Sequence, residues 1–415
     1  MKSVYIINTK SQSLFYGIGT YTMQVIRALS SMGLSVNVVT LFDETRSSLF
    51  IEETEQARYI YIPTPEYLKE VPRAEYNLRS IDNIRYYRNV YYTLFPYIHT
   101  DQELIFHFNY MHLEELAKLF KQKFECQIVL TVHYTNWSFE LSGNTDELKR
   151  IMQQPLNEKE ELLKESVVYE RTFIDECVDR VIAIASHSRK MLCDIYNIPP
   201  SKIVLIPNGM KDSFRKMSME EMDEIKKKYY ISAKEKVLIF SGRVNHVKGI
   251  DYLLEAFKLL LNVNPNVKLL IAGEGDLLHY TKKSYPCWNK IIFTGFIPKE
   301  DLFSLYSIAD IGIVPSLHEE FGYVAIEMMM MGVPLIVNQS SGLSEIVENE
   351  VNGLYVQLKK DSVPEEKGVQ LLCDKIKLLL DYPKKDDLVQ NARNTFLKKY
   401  SIDVFSNNLR LLYSN

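Results

Sequence analysis

The chain predicts an α/β protein of two Rossmann-like domains with parallel sheets, on the strength of three observations. Its 415 residues exceed what one ordinary hydrophobic core serves, so two units of roughly 200 residues are expected. Short apolar strand patterns alternate with 3.6-period helix patterns in two separate series. Glycine turns, cations, carboxylates and a histidine fall at the carboxyl ends of the expected strands, the edge where open α/β sheets bind ligands. Two such domains facing across a cleft would gather those groups along its walls.

Composition narrows the class. Apolar residues at 46% and charged residues at 25% are ordinary for a soluble globular protein. A net charge of −4 supplies no overall basic field, which argues against nucleic acid as a partner. The five cysteines, Cys126, Cys177, Cys193, Cys287 and Cys373, are scattered without a CxxC pair. They point away from zinc and disulfide frameworks and toward a reducing, cytoplasmic setting. The apolar run in the opening MKSVYIINTK is too short for a secretory leader, and no run approaches the roughly 18 residues of a membrane span. Peripheral contact with a membrane stays open.

The first series opens with a strand at Ser3–Asn8, and Gly17 and Gly19 stand ahead of a helix whose apolar face is Tyr21, Val25, Ile26 and Leu29. Ser35–Leu41 reads as the next strand, which completes a βαβ unit with a glycine turn at its first crossover. A dinucleotide fingerprint needs a third glycine, and Thr22 stands there. Residues 43–100 break the pattern: polar, with nine tyrosines between Tyr59 and Tyr97, they read as an insertion. Either its rings pack on one another, or they form an acceptor-recognition surface. Then come the strand ELIFHF, the helix MHLEELAKLFKQ and the strand QIVLTVH, with His133 at its carboxyl end. The stretch NWSFELSGNTDELKRIMQQ reads as a polar, irregular and mobile loop. A helix near Lys164–Cys177, the strand DRVIAIA, a helix capped by Ser186 and the strand KIVLIPNG follow, the last ending in an Asn208-Gly209 turn. Residues 210–235 read as a linker with a surface helix.

The second series begins at KVLIFSGR, then a helix over about 249–261, the strand VKLLIAG with its GEGD turn, the strand IIFTGF and the helix KEDLFSLYSIA. The stretch 310–332, DIGIVPSLHEEFGYVAIEMMMMGV, is the centre of the chain's chemistry. Ile311–Val314 is a buried strand stopped by Pro315, Ser316–Glu320 is a polar turn, and Tyr323–Met331 is a helix. Glu319 therefore lies at a strand's carboxyl end and Glu327 about two turns into the helix; spacing alone does not decide whether both face one site. Phe321 and Gly322 turn the backbone, and the helix start offers amide donors. Carboxylates beside amides suit a ligand that carries hydroxyls and phosphate. In SGRVNHVKGI, Arg243 and Lys248 stand five apart in a loop that enters a helix, a pair able to neutralise a diphosphate. The strands PLIVN and NGLYVQ, helices near 366–380 and 384–399, and the amphipathic IDVFSNNLRLLY complete the chain.

These motifs resemble those of retaining GT-B glycosyltransferases of family 4, the glycosyl transferases group 1. The resemblance rests on RxxxxKG at Arg243–Gly249, GxG at Gly273-Glu274-Gly275, the paired glutamates Glu319 and Glu327 around Phe321-Gly322, and GxxEIV at Gly342–Val347. In the first half it rests on Gly17-Ile18-Gly19, His133 and Pro207–Gly209. It implies an acceptor-side domain over residues 1–212, a donor domain over 213–395 and a last segment, 396–415, that crosses back to the first domain. It further implies transfer of a sugar from a nucleoside diphosphate donor, UDP-sugar or GDP-sugar, with no catalytic metal and no cofactor. The acceptor class, whether glycan, lipid-linked, peptide or small molecule, is left open. By position, Arg243 and Lys248 would hold the diphosphate, Glu319 the sugar hydroxyls, Glu327 the ribose, and His133 the sugar. Gly17, Gly19, Asn208, Gly273, Phe321, Gly322, Tyr323 and Val324 would line the donor. Two positions depart from the family: Tyr134 stands where Asp is frequent after the histidine, and Tyr16 where Gly often leads the glycine loop.

Two rival functions share parts of this pattern. A dinucleotide-dependent oxidoreductase fits the opening βαβ unit but not the missing glycine. A non-catalytic GT-B partner of another transferase fits the fold but has no need of Arg243, Lys248, Glu319 and Glu327 together. A phosphorylase-like or sucrose-synthase-like reaction would use the same groups.

Overall fold

The strands form because β-branched and apolar runs alternate with helices that cover both faces, and burial then fixes their order. The computed structural model describes residues 2–10, 17–69, 81–358 and 365–413. The chain divides into two compact units: Met1–Trp137 with Thr145–Lys211 and Ile402–Asn415, and Ser138–Asn144 with Asp212–Ser401.

The first unit holds an eight-stranded sheet of β1 (Lys2–Thr9), β2 (Ser35–Asp43), β3 (Phe50–Glu53), β4 (Arg58–Pro63), β5 (Glu103–Phe108), β6 (Cys126–Val132), β7 (Arg180–Ala183) and β8 (Ile203–Leu205). Their order is β3-β4-β2-β1-β5-β6-β7-β8, parallel except for the β3–β4 pair. Chain order runs outward on both sides of the β1/β5 pair, which is the topological switch point. The core is apolar on both faces, from Val4, Ile6 and Ile7 to Phe106 and Leu130, as parallel strands covered twice require.

The second unit holds a six-stranded parallel sheet of β9 (Lys236–Ser241), β10 (Val267–Ala272), β11 (Ile291–Gly295), β12 (Ile311–Val314), β13 (Leu335–Asn338) and β14 (Leu354–Val356). The order β11-β10-β9-β12-β13-β14 puts its switch point between β9 and β12. The helix Tyr323–Met331 is apolar around most of its circumference and is buried accordingly, from Ala325 to Met331.

The structure refines or corrects the sequence reading in several places. Residues 50–63 are not a separate insertion: β3 and β4 extend the sheet beyond β2, with Ile60 buried. The tyrosine-rich stretch packs largely on its own rings, since Tyr86 and Tyr87 are buried, Tyr59 stacks on Tyr61, and Tyr91 meets Tyr92 and Phe124. Its central part, 70–80 with Tyr76, lies outside the described residues. The expected loop after Tyr134 is two helices, Asn136–Glu140 and Thr145–Gln153, because Leu148 and Ile151, one turn apart, are buried. The following helix starts at Glu158 rather than near Lys164, capped by Asn157, whose side chain accepts from the Glu160 amide. Gly17 and Gly19 lie inside the first turn of the helix Gly17–Ser31 instead of ahead of it, and the preceding loop with Tyr16 lies outside the described residues. Ser186 opens its helix without capping it; Ser188 Oγ accepts from the Ala185 amide instead.

Candidate active site

In the second unit the loops after β9 and β12 meet at the switch point. Val247 O accepts from the Leu317 amide at 2.8 Å, which joins the two loops. Gly249 makes the approach possible: its φ is +72°, and a Cβ there would run into the Pro315 carbonyl. Gly249→Ala should therefore cost about 2–4 kcal/mol of unit stability, read from denaturant melts, because both the left-handed backbone and the backbone-to-backbone contact resist a side chain.

On this frame Lys248 Nζ reaches Glu319 Oε1 at 2.5 Å, and Ser316 Oγ donates to the same oxygen at 3.0 Å. Asn338 Nδ2 holds the Ser316 carbonyl at 3.0 Å, so the end of β13 supports the turn. The polar turn is largely buried: Ser316, Leu317 and His318 are each under 4% exposed. His318 Nε2 stands 3.2 Å from Glu320 Oε1. Arg243, half-buried in the loop after β9, has no carboxylate partner among the described residues. Asn245 Oδ1 accepts from the Lys248 amide and fixes the turn between the two cations.

Glu327 is 1% exposed and is not a surface carboxylate of the helix. Lys299 forms an ion pair with Oε1, and Tyr306 OH donates to Oε2 at 3.4 Å. Burial, followed by the Glu327 charge, pushes the Tyr306 phenol well above its ordinary range, so it remains a donor. Tyr306 also meets Ser241 Oγ at 2.5 Å, which connects Glu327 to the carboxyl end of β9. Glu327 is thus tied through Tyr306 to the carboxyl end of β9, while Glu319 stands in the loop after β12. Lys299, Tyr306, Ser316 and Asn338 were not read from the sequence, because each is an ordinary helix, turn or strand residue until the fold brings it in.

Gly322, at φ +107°, starts the helix Tyr323–Met331, whose first turn presents the Tyr323 and Val324 amides. Phe321 is buried edge-on against Tyr323 and Tyr400. Gly273 has a packing role, since a Cβ there would strike the Gly242 carbonyl, so the GEG turn underlies the Arg243 loop.

In the first unit His133 follows β6, and Asn109 follows β5. His133 Nε2 lies 3.1 Å from Asn109 Oδ1, while Asn109 Nδ2 donates to Asn8 Oδ1 at 2.8 Å. That chain of bonds fixes the tautomer: Nε2 carries the proton and Nδ1 the lone pair. Burial, with His107 adding to it, lowers the His133 pKa to about 3, so the ring is neutral. Asn208, in the loop after β8, is buried, and its Oδ1 has no hydrogen-bond partner among the described residues, as expected of a ligand-facing amide. Gly17 is exposed and Gly19 half-buried.

One buried acid near His133 was not foreseen. Glu170, 5% exposed on the helix Glu158–Cys177, accepts from Tyr196 OH and from the Asn136 backbone amide. Burial raises its pKa to about 7 from an ordinary 4.5. The folded state then holds the proton more tightly than the unfolded one, so stability should fall as pH rises from about 4.5 to about 7 and level off above. Glu170→Gln should remove that slope, which melting curves across the range would show.

The family model for Glycosyl transferases group 1 matches residues 221–395, and that for Glycosyltransferase Family 4 matches residues 15–214. An uncharacterized glycosyltransferase of Methanocaldococcus jannaschii is 34% identical over 232 residues, 54% of this chain and 57% of that protein. The lipopolysaccharide 1,2-N-acetylglucosaminetransferase of Salmonella typhimurium is 28% identical over 217 residues, 49% of this chain and 54% of its own. The chain spans about half the length of the curated relatives it matches. Among solved structures, sucrose-phosphate synthase from Thermosynechococcus elongatus superposes with a TM-score of 0.76 at 20% identity, over 100% of this chain and 98% of that one. Anabaena HepE in complex with UDP-glucose gives 0.70 at 16% identity, over 99% and 100%. Two parallel-sheet units with polar groups at their switch points define the GT-B class. Within it, the chain belongs to the glycosyl transferases group 1 family, its first half matching family 4. Among the described residues no helix is long and apolar enough to cross a membrane.

Proposed function

We propose that the protein transfers a sugar from a nucleoside diphosphate donor, UDP-sugar or GDP-sugar, to an acceptor hydroxyl, with retention and without a catalytic metal. The observation that carries this reading is the group at the β9/β12 switch point: Arg243 without a carboxylate partner among the described residues, Lys248 against Glu319, and Glu327 buried at the same edge. The second unit takes the donor and the first the acceptor.

Transfer breaks the bond between the sugar's anomeric carbon and the diphosphate, and negative charge grows on the leaving group. Arg243 offers a planar fork and Lys248 a point charge to stabilise it, and the first-turn amides of Tyr323 and Val324 add fixed donors. Glu319 accepts from sugar hydroxyls and so orients the anomeric carbon; Glu327 accepts from the ribose hydroxyls. Lys248 is already paired with Glu319, so a bound donor inserts its phosphate and sugar on either side of an existing contact. Retention fits same-face attack, in which a donor phosphate oxygen takes the acceptor proton. The five free cysteines suit a reducing, cytoplasmic setting. UDP-glucose and GDP-mannose, each with an acceptor panel and with chelator present, test the reading. Release of nucleoside diphosphate and an anomeric proton signal matching the donor's configuration are expected. Nucleotide binding without any turnover would instead favour the non-catalytic partner.

A further inference from the structure

A recess opens at the carboxyl ends of β5 and β6 in the first unit, walled by the helix Glu158–Cys177. Among its lining residues are Asn109, His112, His133, Asn136, Ser166 and Glu170, and none of the described lining residues is Lys or Arg. Both histidines are neutral, since burial lowers His133 to about 3 and His112 to about 4. None of the described lining residues therefore offers positive charge to a phosphate.

Several of its polar groups are held by hydrogen bonds. A carboxylate has about four acceptor positions, and the Tyr196 hydroxyl and the Asn136 amide occupy two of those on Glu170. His133 gives its only N–H to Asn109 and keeps Nδ1 as an acceptor. Ser166 Oγ accepts from Asn136 Nδ2 at 3.4 Å and keeps its own proton to donate. The hydroxyls of Tyr110, Thr131, Tyr134 and Tyr169 also line the recess, so acceptors stand beside groups that both donate and accept. Sugar hydroxyls match that mixture; a phosphate dianion brings only acceptors and a charge that would face Glu170. An ionised Glu170 repels such an anion, and a protonated one still leaves its desolvation uncompensated.

We infer that this recess binds the hydroxyl edge of an uncharged acceptor sugar or polyol, with Glu170 as a specificity-determining acceptor of its hydrogen bonds, and that it rejects phosphorylated acceptors. The inference rests on the glycosyltransferase reading and narrows its acceptor class. It also separates this chain from the sucrose-phosphate synthase whose fold it shares, a protein named for a phosphorylated product.

The test uses the full chain with UDP-glucose or GDP-mannose and two matched panels. One holds glucose, N-acetylglucosamine and myo-inositol; the other holds glucose 6-phosphate, N-acetylglucosamine 6-phosphate and inositol 1-phosphate. At least one neutral compound should stimulate nucleoside diphosphate release, with its phosphate ester at least tenfold poorer in kcat/KM. Glu170→Gln, which keeps shape and removes charge, should raise the neutral acceptor's KM about tenfold with kcat little changed. Ser166→Ala, on the partly exposed side of the helix, should raise it two- to threefold. Preference for the phosphate ester overturns the inference, as does an acceptor KM unmoved in both variants. Silence of both panels while the donor still binds and hydrolyses also overturns it and leaves the glycosyltransferase reading standing. Failure of the protein to bind any nucleotide sugar would strike that reading instead.

Discussion

Replacing Arg243 and Lys248 together by alanine should weaken binding of a nucleoside diphosphate by at least about a hundredfold while the fold survives. Each charge-assisted bond to phosphate contributes about 1.5–3 kcal/mol, and two of them amount to a factor of about 10² to 10⁴. The two cations should not contribute equally. Lys248 leaves part of its interaction with Glu319 when it turns to a ligand, whereas Arg243 has no carboxylate among the described residues to give up. Arg243→Ala alone should thus cost more than Lys248→Ala alone. Both side chains are half-buried at a loop and neither fills the core, so circular dichroism and melting should change little. Unchanged affinity by calorimetry in the double variant would remove the donor site from this loop.

The second large effect separates the two glutamates. Glu327→Ala should weaken nucleoside diphosphate and nucleotide sugar alike by roughly ten- to a hundredfold, since both ligands carry the ribose. Glu319→Ala should spare the sugar-free ligand and lower intact-donor affinity and kcat, because the sugar is then unoriented. The Lys248–Glu319 contact sharpens the expectation: without Glu319, Lys248 is fully available to phosphate, so nucleoside diphosphate affinity should hold or rise. Glu327 is buried and paired with Lys299, so Glu327→Gln serves as a control for the fold. A Glu319→Ala protein that loses nucleoside diphosphate as heavily as Glu327→Ala would show that the roles are misassigned.

Strand β12 and the helix Tyr323–Met331 were legible to the residue, because an apolar run closed by Pro315 and a glycine-started apolar helix leave little freedom. The parallel sheets were legible for the same reason: buried strands and one-sided helices alternate throughout. The edge strands β3 and β4 were hidden, since their half-exposed, tyrosine-bearing residues carry no core signature. The helix Thr145–Gln153 was hidden by charge, its burial resting on Leu148 and Ile151 alone. Within the site, Glu319 and Glu327 carried a spacing signal, but the partners that orient them did not. Lys299 starts an unremarkable surface helix and meets Glu327 only through the fold. Glu170 had no signal at all: a glutamate in a Glu- and Lys-rich helix reads as a solvated face, and burial emerges only when Tyr196 and Asn136 close over it.

The most direct test of the central claim, that the β9/β12 edge holds a nucleoside diphosphate sugar, is thermal melting of the intact protein against nucleotides and nucleotide sugars. At about 100 times Kd the correct ligand should add about 2.7 kcal/mol and raise Tm by about 5–10 °C. UDP or GDP and one of its sugar conjugates should produce the rise, and the corresponding monophosphate much less, since the diphosphate is what Arg243 and Lys248 meet. Stabilisation by a nicotinamide dinucleotide in their place, or by no nucleotide in the panel, would contradict the account.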